Sequence, residues 1–394
     1  MDPASLRTHE FHRILLIKLS AVGDVIHTIP VLHKLRRRYP AARIDWLLRP
    51  QIAELIGHHP AITNVLPFAR RGWDPPWRAG WGALRNLTDL VGEMRATRYE
   101  LAIDLQGQLR TALFTLASRA PVRIGFDRPR REVWQATERK LPPEAYQHGW
   151  KGAREGSWIA YTNPIRIATL DMHAVDRYLR VGDLLGLDDE PADFSFMIPP
   201  TAITRADELL GRQGGGGRGS GLVVLAPGTM WETKHWTAEG FATVARHFLD
   251  QGRPVVLIGS SGDRRVCADI VAAAPGAVDL AGRTTLTELA AIVRRARLCI
   301  TNDSGPMHLA VALQRPVVSI FGPSDALWIG PYRRPEAVIS AQVPCAPCYL
   351  RALRRCPNDH ACMRAVSPAD VIERAERSLA AAGADIDAVI SLDG

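Results

Sequence analysis

Short apolar runs alternate with amphipathic stretches along most of the chain. Arg13 to Leu19 (R-I-L-L-I-K-L) is a brief apolar run that ends in the small-residue loop Ser20-Ala21-Val22-Gly23-Asp24. It reads as a buried strand running into a tight turn. Val25, Ile29 and Leu32 then recur at helical spacing and predict a helix to about Tyr39, stopped at Pro40. Arg43 to Leu48 and Tyr99 to Leu105 predict two more strands, the latter followed by the loop Gln106-Gly107 and a helix through Leu113. Strands alternating with helices imply a parallel sheet covered on both faces.

The second half repeats the alternation more plainly. Leu222 to Ala226, Pro254 to Gly259, Ala277 to Leu280, Leu298 to Thr301 and Pro316 to Phe321 predict strands. Thr237 to Asp250, Asp263 to Ala274, Leu286 to Ala296 and Pro306 to Leu313 predict the helices between them, with Phe241, Val244 and Phe248 on one face. Gln213 to Gly221 (Q-G-G-G-G-R-G-S-G) cannot hold a regular element cheaply and reads as a flexible loop. The domain boundary is expected somewhat earlier, between Asp188 and Pro200. The expected organisation is a Rossmann-like α/β domain over 1–190 and a second over 191–367. A C-terminal helix over 368–394 is expected to pack back on the first domain. Two such domains also suit a dinucleotide-dependent dehydrogenase. That class needs G-x-G-x-x-G after its first strand, and neither Ser20 to Asp24 nor Pro227 to Thr229 supplies it.

Composition narrows the partners. The 394 residues are 46% hydrophobic and 23% charged, which suits a soluble globular protein with a large core. The net charge of +8 favours anionic partners such as nucleotides or phosphorylated lipids. The N-terminus, Met1 to Phe11, lacks the apolar core of a signal peptide, and no stretch approaches the length of a membrane span. A cytoplasmic protein touching membranes only peripherally is expected.

Three segments carry chemistry. In Lys18 to Pro30 (K-L-S-A-V-G-D-V-I-H-T-I-P), Asp24 sits where a strand ends and a helix begins, the place where ligands collect in such sheets. Asp24 reads equally as a helix cap, and bonds from helix amides would lower its basicity. In Ala226 to Trp236 (A-P-G-T-M-W-E-T-K-H-W), Lys234 is a point charge suited to a diphosphate, or else a surface lysine. In Thr301 to Ala310 (T-N-D-S-G-P-M-H-L-A), Ser304, Gly305 and Pro306 open a helix directly after a strand. Gly305 lets backbone amides approach an anion. Asp303 suits sugar hydroxyls, and His308 shares a helix face with Ser304.

Together these segments resemble glycosyltransferase family nine, the bacterial lipopolysaccharide heptosyltransferases, from about Arg13 to Ile372. The resemblance implies a GT-B fold, two Rossmann-like domains whose parallel sheets face a central cleft. It implies inverting transfer of a heptose from an ADP donor without a catalytic metal. Asp24 becomes the general base, with Lys234 and the amides near Ser304 and Gly305 stabilising the leaving diphosphate. Thr229 and Lys234 match the phosphate contacts, Asp303 and His308 the donor positions, and Thr284 the adenine pocket. On the acceptor side the resemblance points to Gly23, His27 and Gln106. Arg110, Arg123 and Arg128 are candidates for the phosphates of a lipid A core, and Pro129 to Gln147 for a mobile acceptor loop. Peripheral contact with the inner membrane follows, and nucleic acid is not an expected partner.

Cys345, Cys348, Cys356 and Cys362 cluster after the last strand. Their C-x-x-C spacing suits a structural zinc or iron ion, with His360 as a substitute ligand. Reduced thiols and disulfides are the other readings. Cys267 and Cys299 read as core residues. Three alternatives to the leading function are transfer of another sugar or to a protein acceptor, a GT-B sugar-nucleotide epimerase, and a metal-containing nucleic-acid-binding protein. The epimerase needs further cleft carboxylates. The last lacks aromatic and basic residues interleaved.

Overall fold

The structure is a computed structural model that describes residues 2–69, 81–128, 130–138, 153–212 and 221–390. The glycine-rich loop lies outside the described residues but for Gly221, as do 129 and 139–147 of the expected acceptor loop. The described part of that loop includes a short helix, Arg131–Gln135, rather than loop throughout. By contact, the described residues fall into two compact units that part between Met197 and Ile198.

In the first unit the strands are β1 (Arg13–Ile17), β2 (Arg43–Leu48), β3 (Asn64–Pro67), β4 (Leu101–Asp104), β5 (Val122–Phe126) and β6 (Asn163–Ile165). They form one parallel sheet in the order β3-β2-β1-β4-β5-β6. The expected helix from Val25 to Tyr39 is two helices, Val22–Ile26 and Ile29–Arg38. Pro30 stands in the first turn of the second, where its missing N–H costs nothing. Leu15, Ile17, Leu47, Leu66, Met94 and Phe114 fill the core on one face of this sheet.

The second unit contains β7 (Val223–Ala226), β8 (Val255–Leu257), β9 (Val278–Asp279), β10 (Leu298–Asn302), β11 (Val317–Phe321) and β12 (Val338–Ser340). Their order is β12-β11-β10-β7-β8-β9, again parallel throughout. Helix Ala238–Asp250 buries Phe241, Val244 and Phe248 completely against this sheet's core, each worth about 1.5–3 kcal/mol of transfer free energy. Cys267 and Cys299 are core residues as expected, and burial pushes both thiols up to about 12. The contacts of helix Pro368–Ile390 within its own unit are with helix Ala238–Asp250, β10 and β11.

Both sheets reverse strand order once near the middle, between β1 and β4 and between β7 and β10. In open α/β sheets such a switch leaves a crevice at the carboxyl ends of the two flanking strands. Those four strand ends carry the segments singled out in the sequence.

Candidate active site

In the first unit, β1 and β4 pair Ile17 with Asp104, which sets two loops side by side. Asp24 is the third residue of helix Val22–Ile26 and is about one-third exposed. Its Oδ2 accepts from the backbone N–H of Ala21 at 3.2 Å, so it closes the helix start as a cap would. Its Oδ1 accepts from the Tyr178 hydroxyl at 3.1 Å. Asp24 is thus not the N-cap, which is Ala21, but the third helical residue reaching back to it, and its carboxylate keeps a face open to solvent.

Beneath Asp24 lies a buried lysine. Lys18 Nζ donates to the Tyr178 hydroxyl at 2.7 Å and to the Leu105 carbonyl at 2.9 Å, and stands 4.0 Å from Asp24 Oδ1. Burial pushes the Lys18 ammonium down from its ordinary value, while Asp24 and then Asp104 pull it back up. Burial, followed by the Asp24 charge, raises the Tyr178 phenol well above its ordinary value, so it remains a donor to the carboxylate.

Asp104 is a loop builder. Its Oδ1 accepts from the amides of Gln106 and Gly107, and its Oδ2 from the Tyr161 hydroxyl at 2.8 Å. Burial raises this carboxyl, against the pull of those donors and of Thr111. Gly107 has a φ of 65°, a conformation its missing Cβ makes cheap. Gln106 Oε1 accepts from the Ser20 amide at 3.3 Å, tying the two loops together. Gly23 and His27 are buried within the same loop and helix, with the His27 ring edge-on to His173 at 5.1 Å.

The three arginines part company. Arg110 is half-buried in helix Leu109–Ala117, at the carboxyl end of β4. Arg128 is exposed just beyond the carboxyl end of β5 and lines a hollow of about 310 Å³ with Arg130 and Arg166. Arg123 does not join them. It is the second residue of β5, paired with Ala102 away from the carboxyl end. Its guanidinium donates to the carbonyls of Ala160 and Ala120 at 2.7 and 2.8 Å, so it braces the fold rather than facing an acceptor.

In the second unit, β7 and β10 pair Ala226 with Thr301. Lys234 is a buried ion-pair member and no surface lysine. Its Nζ lies 2.5 Å from Asp303 Oδ2, with side-chain exposures of 9% and 4%. The same ammonium stands 4.2 Å over the Trp231 ring. Asp303 Oδ2 also accepts from the Ser324 hydroxyl. A carboxylate so occupied positions Lys234 more readily than it receives sugar hydroxyls. Thr229 Oγ1 donates to the Asp303 carbonyl at 3.3 Å. Asn302 joins the strand ends: its Nδ2 donates to the Pro227 carbonyl at 2.7 Å, and its Oδ1 accepts from the Trp236 amide at 3.2 Å.

Ser304 occupies the N-cap of helix Gly305–Ala312, but its hydroxyl turns to the Asn302 carbonyl at 3.3 Å instead of the helix amides. The helix starts beside the Lys234–Asp303 pair, which suits an anion at its positive end. His308 is nearly buried in that helix. Thr284 lies off the switch point, after edge strand β9, directly before the Thr285 that caps helix Leu286–Arg295.

The cysteine segment supports the Lys234 loop. The Leu353 amide donates to Glu232 Oε2 at 2.8 Å, and His360 Nε2 donates to the Thr233 carbonyl at 2.7 Å, which ties the segment to that loop. Cys345, Cys348, Cys356 and Cys362 carry free thiols. Among the described residues no group of three or more His, Cys, Asp or Glu is arranged to hold a metal ion. The expectation of zinc or iron there finds no support. Burial, then the neighbouring thiols, pushes Cys362 up to about 11, and burial likewise raises Cys348.

Sequence reasoning missed Lys18 and Tyr178. Lys18 stood inside a motif but read as part of the buried strand Arg13 to Leu19, and Tyr178 lies 154 residues from Asp24 with no local pattern to mark it.

The family model of glycosyltransferase family 9 (heptosyltransferase) matches residues 87–149 and 141–356, most of the chain. The chain belongs to glycosyltransferase family 9. It is a glycosyltransferase of the heptosyltransferase type, with the GT-B fold. Lipopolysaccharide heptosyltransferase 1 of Pseudomonas aeruginosa is 30% identical over 355 residues, covering 88% of this chain and 89% of the relative. Among solved structures, a family 9 glycosyl transferase from Veillonella parvula superposes with a TM-score of 0.74 at 23% identity, over 94% of this chain and 97% of that one. The Escherichia coli heptosyltransferase WaaC with ADP gives 0.68 at 21% identity, over 93% and 99%. The same enzyme with ADP-2-deoxy-2-fluoro heptose gives 0.60 at 24%, over 79% and 90%.

Proposed function

We propose that this enzyme transfers a heptose from ADP-heptose to a lipopolysaccharide core acceptor with inversion. The observation that carries the reading is the buried Lys234–Asp303 pair beside the start of helix Gly305–Ala312, at the switch point of a sheet belonging to a heptosyltransferase family. An ADP-heptose analogue bound to the E. coli relative and the name of the P. aeruginosa relative support the donor and acceptor classes. No helix among the described residues is long and apolar enough to cross a membrane. We place the reaction at the cytoplasmic face of the inner membrane, with peripheral contact only.

Asp24 takes the proton of the acceptor hydroxyl as that oxygen bonds to the anomeric carbon. The bond from that carbon to the β-phosphate oxygen breaks, and its electron pair leaves with ADP. Lys234 and the amides near Ser304 and Gly305 meet the charge that develops on the diphosphate. Thr229 and His308 flank that group, and Thr284 lines the base pocket. Gln106, Arg110 and Arg128 receive the acceptor. Catalysis uses no metal ion.

Asp24→Asn keeps the bond from Ala21 N–H available but removes the base. Transfer should fall by about 10²–10⁴-fold, measured as ADP release, while ADP affinity by calorimetry stays within about twofold. Retained turnover removes Asp24 from the mechanism. Failure to bind any of a panel of ADP-, GDP- and UDP-sugars removes the transferase reading for this donor class.

A further inference from the structure

At the opposite end of the second sheet, where β10 and β11 begin, lies a hollow of about 820 Å³. Arg297, Arg315, Arg334, Arg374 and Arg377 line it, with Glu336 as the one carboxylate in the lining among the described residues. Pro316, Val317 and Val318 give it an apolar wall. The length of β10 separates it from Asp303, about 16 Å at about 3.3 Å per residue, so it is no part of the donor site.

The fold places these guanidinium groups but does little to neutralise them. Arg334 donates to the Arg315 carbonyl at 2.8 Å, Arg374 to the Val338 carbonyl at 3.0 Å, and Arg315 to the Leu313 carbonyl at 3.0 Å. Arg377 pairs with Glu373 on its own helix. Burial lowers Arg334 from its ordinary value; Glu336 opposes this, and Arg315 adds to it by repulsion. Like charges gathered in a concave wall raise a positive potential that an anion relieves. Guanidinium forks match phosphate oxygens in pairs. The volume falls within the range of small-molecule sites, about 300–1,000 Å³.

We propose that this hollow binds an anionic phosphate ligand, with its phosphate among the arginines and an apolar portion against the start of β11. A soluble organic phosphate and the phosphate headgroup of a lipid offer the same chemistry, and the test separates them.

The full chain is compared with Arg297→Glu/Arg377→Glu and with the milder Arg297→Gln/Arg377→Gln, which guards against misfolding by charge reversal. One arm titrates pyrophosphate by calorimetry with the donor site saturated by ADP, so that only the hollow is read. The other sediments the protein with phosphatidylcholine vesicles, with and without phosphatidylglycerol. The expected result is binding by the parent chain that weakens at least about tenfold in the variants, with ADP affinity unchanged. Loss confined to pyrophosphate identifies a soluble ligand, and loss confined to phosphatidylglycerol vesicles a lipid headgroup. Absence of both activities in the parent, or their persistence in both variants, overturns the proposal.

Discussion

The Lys234–Asp303 pair gives the most quantitative test of the site. Lys234→Ala leaves the Asp303 carboxylate buried with Ser324 as its remaining side-chain donor and removes the ammonium from over Trp231. Breaking a buried pair by deleting one member costs about 3–5 kcal/mol. Loss of the cation–π contact adds about 0.5–2 kcal/mol. Asp303→Ala strands the ammonium instead and should cost a similar amount. The double substitution Lys234→Ala/Asp303→Ala leaves neither charge behind, so it should cost well under the sum of the two. A coupling energy of about 2–3 kcal/mol is expected, near the top of the range for contacting residues. In a unit of this size each kcal/mol moves Tm by about 2–4 °C, so Lys234→Ala should melt roughly 10 °C lower. Urea unfolding followed by tryptophan fluorescence measures all four corners of the cycle. Trp231, Trp236 and Trp328 all belong to this unit. Additive single costs, or singles below about 1 kcal/mol as at exposed pairs, would refute the buried pairing.

Three further outcomes are expected. Tyr178→Phe removes the hydroxyl between Lys18 and Asp24 but keeps the ring 4.5 Å from the ammonium; stability should fall by about 1–3 kcal/mol and kcat should drop with donor KM unchanged, whereas an unaltered kcat would separate Tyr178 from the role proposed for Asp24. Gly228→Ala sets a Cβ 2.3 Å from Asp263 Cγ, and Asp263 is held by two 2.7 Å bonds from Ser260, so an overpacking cost of about 1–3 kcal/mol and weaker ADP binding should follow, checked by melting and calorimetry. Burial, then His33, pulls His59 down to about 4, so it stays neutral in the fold while the unfolded chain takes up protons near the ordinary value of 6.5. Stability should therefore fall as pH drops from 6.5 toward 4 and be recovered as it rises; a urea midpoint with the same slope in His59→Asn would contradict this.

The fold was legible wherever strands were apolar and paired on both sides. β1, β2, β10 and β11 lie where the apolar runs predict them, within a residue or two at the ends. The unanticipated β3, β6 and β12 have three or four residues each and stand at sheet edges, where one-sided burial leaves little pattern. β5 escaped because Arg123 interrupts its apolar run. At the site, strand-to-helix context located Asp24, Lys234 and Ser304. It did not reveal their partners, because Tyr178–Asp24 and Lys234–Asp303 are tertiary pairs far apart in sequence. Charge alone misassigned Arg123, whose role is decided by two carbonyls within its own unit.

Asn302 bears on how such a site can diverge. One amide fastens Pro227 at the end of β7 and Trp236 at the close of the Lys234 loop, while Asn302 itself ends β10. The two loops are thus inherited as one piece. A chimera that imports 227–236 from a relative of different donor preference, but leaves 302–306 native, would mismatch that shared anchor. Grafting both segments together keeps that anchor matched and leaves the sheet beneath undisturbed.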